Sequence, residues 1–107
     1  MPKNIVWLSY DLSVGGDYDG LYAWLDDQGA KECGDSLAFF RFTYRNDLRK
    51  ELKAAITKAV ALRARDRFYV VLEENGEPKG AFLIGRRRTA PWVGHGTIAG
   101  EQDDDAG

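Results

Sequence analysis

At 107 residues, 44% of them hydrophobic and 30% charged, the chain has room for a single core, none for a second domain, and too much apolar content to stay unfolded. Its formal charge of −2 hides an uneven distribution: residues 1–35 hold two lysines against seven acids, residues 36–100 thirteen bases against six, and residues 101–107 four acids and no base. No run approaches the eighteen or so apolar residues of a membrane helix, and no apolar leader precedes the first strand-like segment, so a cytoplasmic protein is expected.

Residues 4–11, Asn-Ile-Val-Trp-Leu-Ser-Tyr-Asp, are rich in β-branched, aromatic and aliphatic side chains and predict a buried first strand. Gly15-Gly16 breaks the chain. Tyr18, Leu21, Tyr22 and Leu25 then recur at three-and-four spacing, with Asp17 and Asp19 at the positive end of the dipole, which predicts a helix closing near Gly29. Residues 31–42 are strand-like but interrupted at Gly34-Asp35, which splits them into a short second strand and a longer third one over 36–42. Asn46 or Asp47 caps a second helix whose stripe is Leu48, Leu52, Ala55, Ile56, Ala59 and Val60, with Arg49, Lys50, Lys53 and Lys58 opposite. Residues 67–73 form the fourth strand, Asn75-Gly76 and Pro78 mark a turn, and residues 80–85 form a fifth.

This order predicts an α+β, ferredoxin-like βαββαβ domain over residues 1–92 with an additional C-terminal strand, its antiparallel sheet carrying both helices on one face. Residues 93–107 read as a flexible acidic tail, with Trp92 docking on the body. A sheet covered on one face, and a chain this short, favour a homodimer built through the fifth strand.

Cys33 and His95 are each the only residue of their kind, which removes an internal disulfide, a paired-thiol zinc site and a recognisable cysteine nucleophile. Asp11, at the end of the first strand before a glycine-containing loop, is the leading candidate for a catalytic and metal-binding carboxylate. In a symmetric dimer two copies could share a divalent cation such as Mg2+; alternatively Asp11 caps the loop. Gly15-Gly16-Asp17 matches no phosphate-loop pattern, which leaves Asp17 and Asp19 as secondary metal candidates. Arg86, Arg87, Arg88 and Arg45 are the candidate nucleic-acid contacts, whereas the lysines of the second helix read as a solvated face. Asp47, Glu51 and Asp66 are placed to pair with neighbouring bases, and the strand aromatics, Tyr69 among them, with core and dimer contacts.

Ile5-Val-Trp-Leu-Ser-Tyr-Asp-Leu, followed by Asp17-Tyr18 opening an amphipathic helix, resembles the small CRISPR-associated "Cas two"-like proteins and their stand-alone relatives in the order of elements over residues 4–88. The resemblance implies a ferredoxin-like fold, dimerisation through sheets and C-terminal strands and, in some members, RNA or DNA cleavage with a metal held by the aspartate ending the first strand, here Asp11. The expected function is thus a nucleic-acid-associated homodimer, with metal-dependent endonuclease activity in view. The alternative is a non-catalytic dimerisation or regulatory module that binds a protein partner.

Overall fold

Strand β1 (Lys3–Asp11) buries Val6 and Leu8 completely and turns Trp7, Ser9 and Asp11 to the other side, the period-two alternation of a sheet with one packed face. A computed structural model describes residues 2–96, and continues with α1 (Tyr18–Asp27), β2 (Lys31–Glu32), β3 (Leu37–Thr43), α2 (Leu48–Ala59), β4 (Arg67–Glu74) and β5 (Glu77–Ile84). The architecture is α+β, two helices with one antiparallel sheet in the order β2-β3-β1-β4-β5, compatible with a ferredoxin-like arrangement.

The packed face joins Val6 and Leu8 to Ala38, Phe40 and Phe42 of β3 and to Phe68, Val70 and Leu72 of β4. Against it lie Leu21, Trp24 and Leu25 of α1 and Leu48, Leu52 and Ile56 of α2, so a single core holds both helices. Trp24 meets Phe40 edge-on at 5.3 Å, a favoured geometry for paired rings. Each helix starts on an aspartate cap: Asp17 accepts from the Gly20 amide and Asp47 from the Lys50 amide. Where the helices approach, a Cβ on Gly20 would come within 2.7 Å of the Ala59 carbonyl oxygen.

Several boundaries differ from the sequence expectation. The second strand is only Lys31–Glu32, and β3 begins and ends one residue later than residues 36–42. The fifth strand starts at Glu77 instead of residue 80, because Asn75 (φ 55°) and Gly76 (φ 81°) make a two-residue hairpin loop that pairs Glu74 directly with Glu77. Pro78 is tolerated because β5 is an edge strand. Trp92 is 73% exposed and does not dock on the body. Most of the expected acidic tail, residues 97–107, lies outside the described residues. Among those described, no helix is long and apolar enough to cross a membrane.

Candidate nucleic-acid interface

Because β1, β4 and β5 are antiparallel neighbours, the end of β1, the start of β4 and the end of β5 meet at one end of the sheet. Asp11 and Arg67 are direct cross-strand partners there. Arg67 donates to Asp11 Oδ2 from Nε (3.1 Å) and from Nη2 (2.7 Å), and Arg88 Nη1 stands 3.9 Å from the same oxygen.

Gly85 brings the remaining arginines in. It sits at φ +78°, and a Cβ would meet Arg67 Cγ at 2.8 Å and the Asp66 carbonyl oxygen at 2.9 Å, so a side chain would be both strained and obstructed. The turn lays residues 86–88 against the entry to β4: Arg67 Nη1 donates to the Arg86 carbonyl (3.5 Å) and Arg88 Nη2 to the Arg65 carbonyl (3.1 Å). Arg65, Arg67, Arg86, Arg87 and Arg88 thereby line one cleft of about 470 Å³.

On the open face of the sheet beside that cleft, Ser9, Asp11, Arg67, Tyr69, Phe82 and Arg87 surround a hollow of about 280 Å³. Tyr69 and Phe82 are cross-strand partners whose rings meet edge-on at 4.8 Å. The Arg87 guanidinium lies 5.7 Å from the Tyr69 centroid and 5.4 Å from that of Phe82, and Arg67 lies 5.9 Å from Phe82, all within cation–π range. Two local features hold the rings in place. A register shift at Phe68/Tyr69 lets Phe82 stay opposite Tyr69 while Leu83 is buried. Gly80 leaves the space that the Tyr69 phenol occupies.

Arg87 and Arg88 thus reach the Asp11 site and Arg86 lines the adjoining cleft, but Arg45 does not join them. It follows β3 at the end where Thr43 pairs with Lys3, the opposite end of β1, and its amide donates to Glu51. Tyr69 and Phe82 were not legible as site residues among the strand aromatics. The signal that finds Tyr69 is alternation: Phe68, Val70 and Leu72 are buried, which leaves Arg67, Tyr69 and Val71 on the other face.

The carboxylates expected to pair with bases mostly bind backbone. Asp66 is 1% exposed and accepts from the amides of Ser13 (2.7 Å) and Arg63 (2.8 Å), which ties the β1–α1 loop to the approach to β4. Burial pushes its pKa up, but the hydrogen bonds from Ser13 and Arg63 outweigh burial and hold it below the ordinary carboxylate value. Glu51 accepts from the amides of Arg45, Asn46 and Asp47. Asp17 accepts from Ala61 and Gly20, and those two bonds lower its pKa. With both oxygens engaged in closing loops, Asp17 serves as a brace between α1 and the end of α2.

A divalent cation fits these residues poorly within one chain. Asp11 Oδ2 already faces Arg67 and Arg88, whose charges oppose a second cation, and among the described residues no three His, Cys, Asp or Glu side chains gather to hold a metal. A larger cavity, about 660 Å³, opens on the helix side of the sheet between α1 and the β2–β3 turn, lined by Tyr10, Tyr18 and Tyr22. Its acids Asp26, Glu32 and Asp35 outnumber Lys31, which disfavours phosphate there. Comparison with known proteins finds no matching family model, no similar curated protein and no similar solved structure.

Proposed function

We propose that this chain is a nucleic-acid-associated protein with a ferredoxin-like, Cas-two-like fold, acting as a homodimer and gripping the phosphate backbone at the Asp11 end of its sheet. The observation that carries this reading is the convergence of Arg65, Arg67, Arg86, Arg87 and Arg88, from two separate segments, beside two aromatic rings. Clustered arginines supply phosphate contacts, and neighbouring rings supply stacking for unpaired bases. Interleaving of β2-β3-β1-β4 supports the fold assignment, with β5 as the additional strand. Trp7, exposed on the open face beside half-buried Leu37, Phe39 and Val71, supports the homodimer.

Binding of labelled single-stranded oligonucleotides across a salt series tests the proposal. Affinity should fall steeply with salt, and replacing Arg86, Arg87 and Arg88 together by alanine should weaken binding and flatten the slope by roughly 0.7 per lost phosphate contact. Absence of binding at low salt would remove the nucleic-acid reading and leave a regulatory module that binds a protein partner.

A Mg2+-dependent endonuclease centred on Asp11 is the narrower form of this proposal, and it requires Asp11 from a second copy to offset the guanidinium groups around the first. Its test is cleavage of RNA and DNA with Mg2+ by the parent and by Asp11→Ala. Equal rates would take the catalytic role away from Asp11.

A further inference from the structure

We infer that the hollow between Asp11 and the Tyr69–Phe82 pair is a base-reading pocket that receives one unstacked guanine of a single strand; the inference rests on the nucleic-acid reading above. Three observations on the open face converge on it. Tyr69 and Phe82 form a half-buried aromatic wall, and Arg87 lies over both rings, held among the described residues by cation–π contact and no side-chain hydrogen bond. A guanidinium in that position can shift to make room for a planar base, or stack on it from above.

The polar groups at the rim are of two kinds. Arg67 and Arg87 are donors. Asp11 Oδ1 and the Ser9 hydroxyl are acceptors, and among the described residues neither carries a hydrogen bond, since Arg67 takes only Oδ2. A ligand matching the rim therefore presents acceptors on one edge and adjacent N–H donors on another. Guanine does so, with O6 and N7 for an arginine and N1–H and N2–H2 for a carboxylate and a hydroxyl. Uracil and thymine offer one N–H, and adenine and cytosine offer an amino group without the neighbouring ring N–H. The hollow is small, about 280 Å³, which suits a base and leaves the sugar-phosphate chain to the adjoining arginine cleft of about 470 Å³. In this arrangement Asp11 is a specificity residue, and its ion pair with Arg67 orients the carboxylate for the base.

The test is fluorescence anisotropy on uridine octamers carrying one central guanosine, inosine, adenosine or cytidine, with the deoxy series as a second arm. Guanosine should bind about tenfold tighter than the all-uridine strand, the discrimination of one good base contact, and inosine, which lacks the N2 amine, should lose part of that gain. Asp11→Asn, which replaces one acceptor oxygen by an NH2 donor, should bring guanosine within about twofold of uridine when both affinities are measured on the same variant. Tyr69→Leu should weaken every strand, and circular dichroism on both variants separates these effects from unfolding. Strands that bind with equal affinity whatever the central base, or a guanosine preference that survives Asp11→Asn, would overturn the inference while leaving the phosphate reading intact. Loss of all binding at low salt would instead remove the reading on which it rests.

Discussion

At the residue scale, aspartates of one chain do opposite things according to what surrounds them. Asp11 is exposed and faces guanidinium groups, so its pair with Arg67 is a surface ion pair worth about 1 kcal/mol or less, and its value lies in orientation. Asp66 is buried and bridges two loops through backbone amides, where losing a charged acceptor costs about 1–3 kcal/mol. Asp66→Ala should therefore destabilise the fold by that order in urea unfolding at neutral pH. The pH dependence follows from the direction of its shift. A carboxyl whose folded pKa lies below its unfolded value of about 3.9 stabilises the fold fully above that value and loses the contribution as pH falls through the folded pKa. The gap between parent and Asp66→Ala should be constant from pH 7 to 5 and narrow below about pH 4. A gap that stayed constant down to pH 2 would show that the carboxylate charge is irrelevant there.

Elements decide where those residues can act. The β1–β4 register makes Asp11 and Arg67 opposite partners, and the Phe68/Tyr69 shift determines which β5 ring reaches the open face. Beyond β5 the chain must reverse, and Gly85 is the residue that lets it. Gly85→Ala would place a side chain at φ +78° against Arg67 and the Asp66 carbonyl, a strain of order 1–3 kcal/mol. The expected outcome is a folded protein with a lower urea midpoint and weaker oligonucleotide binding, because residues 86–88 no longer lie along Arg65 and Arg67. Unchanged affinity would mean that the path of residues 86–88 does not set the arginine cluster.

On the scale of the whole molecule, the sheet has one packed face and one open face. Trp7, 42% exposed, meets its cross-strand partner Phe39 at a tilt with ring centroids 5.1 Å apart, and Leu37 and Val71 lie half-buried beside them. That apolar area lies next to the arginine end of the same face, so a homodimer through it would hold two phosphate-binding ends on one particle. Sedimentation velocity on the parent should show a dimer, and Trp7→Lys should shift it to monomer without loss of helical signal. A Trp7→Lys protein that stays dimeric would move the interface elsewhere, with the β5 edge next to be tested.

Local pattern alone made much of this legible. Apolar spacing in residues 48–60 predicts α2, and the β-branched and aromatic content of residues 4–11 and 67–73 predicts β1 and β4, since each signal is written along a short stretch. The short β2 was harder to read, because Lys31–Glu32 is exposed and polar and is a strand only through its pairing with β3. Asp66 looks like one more partner for neighbouring arginines until the β1–α1 loop is seen to bring the Ser13 amide to it. Arg45 and Arg86 are alike in sequence, yet the fold sends them to opposite ends of the sheet. The sequence by itself determined the class of the fold, the placement of its helices and main strands, and Asp11 as the acid ending β1. Only the tertiary structure decided that Asp11 faces Arg67 and Arg88 and lies beside Tyr69 and Phe82, because those contacts depend on cross-strand register and on the turn at Gly85, which join residues more than fifty positions apart.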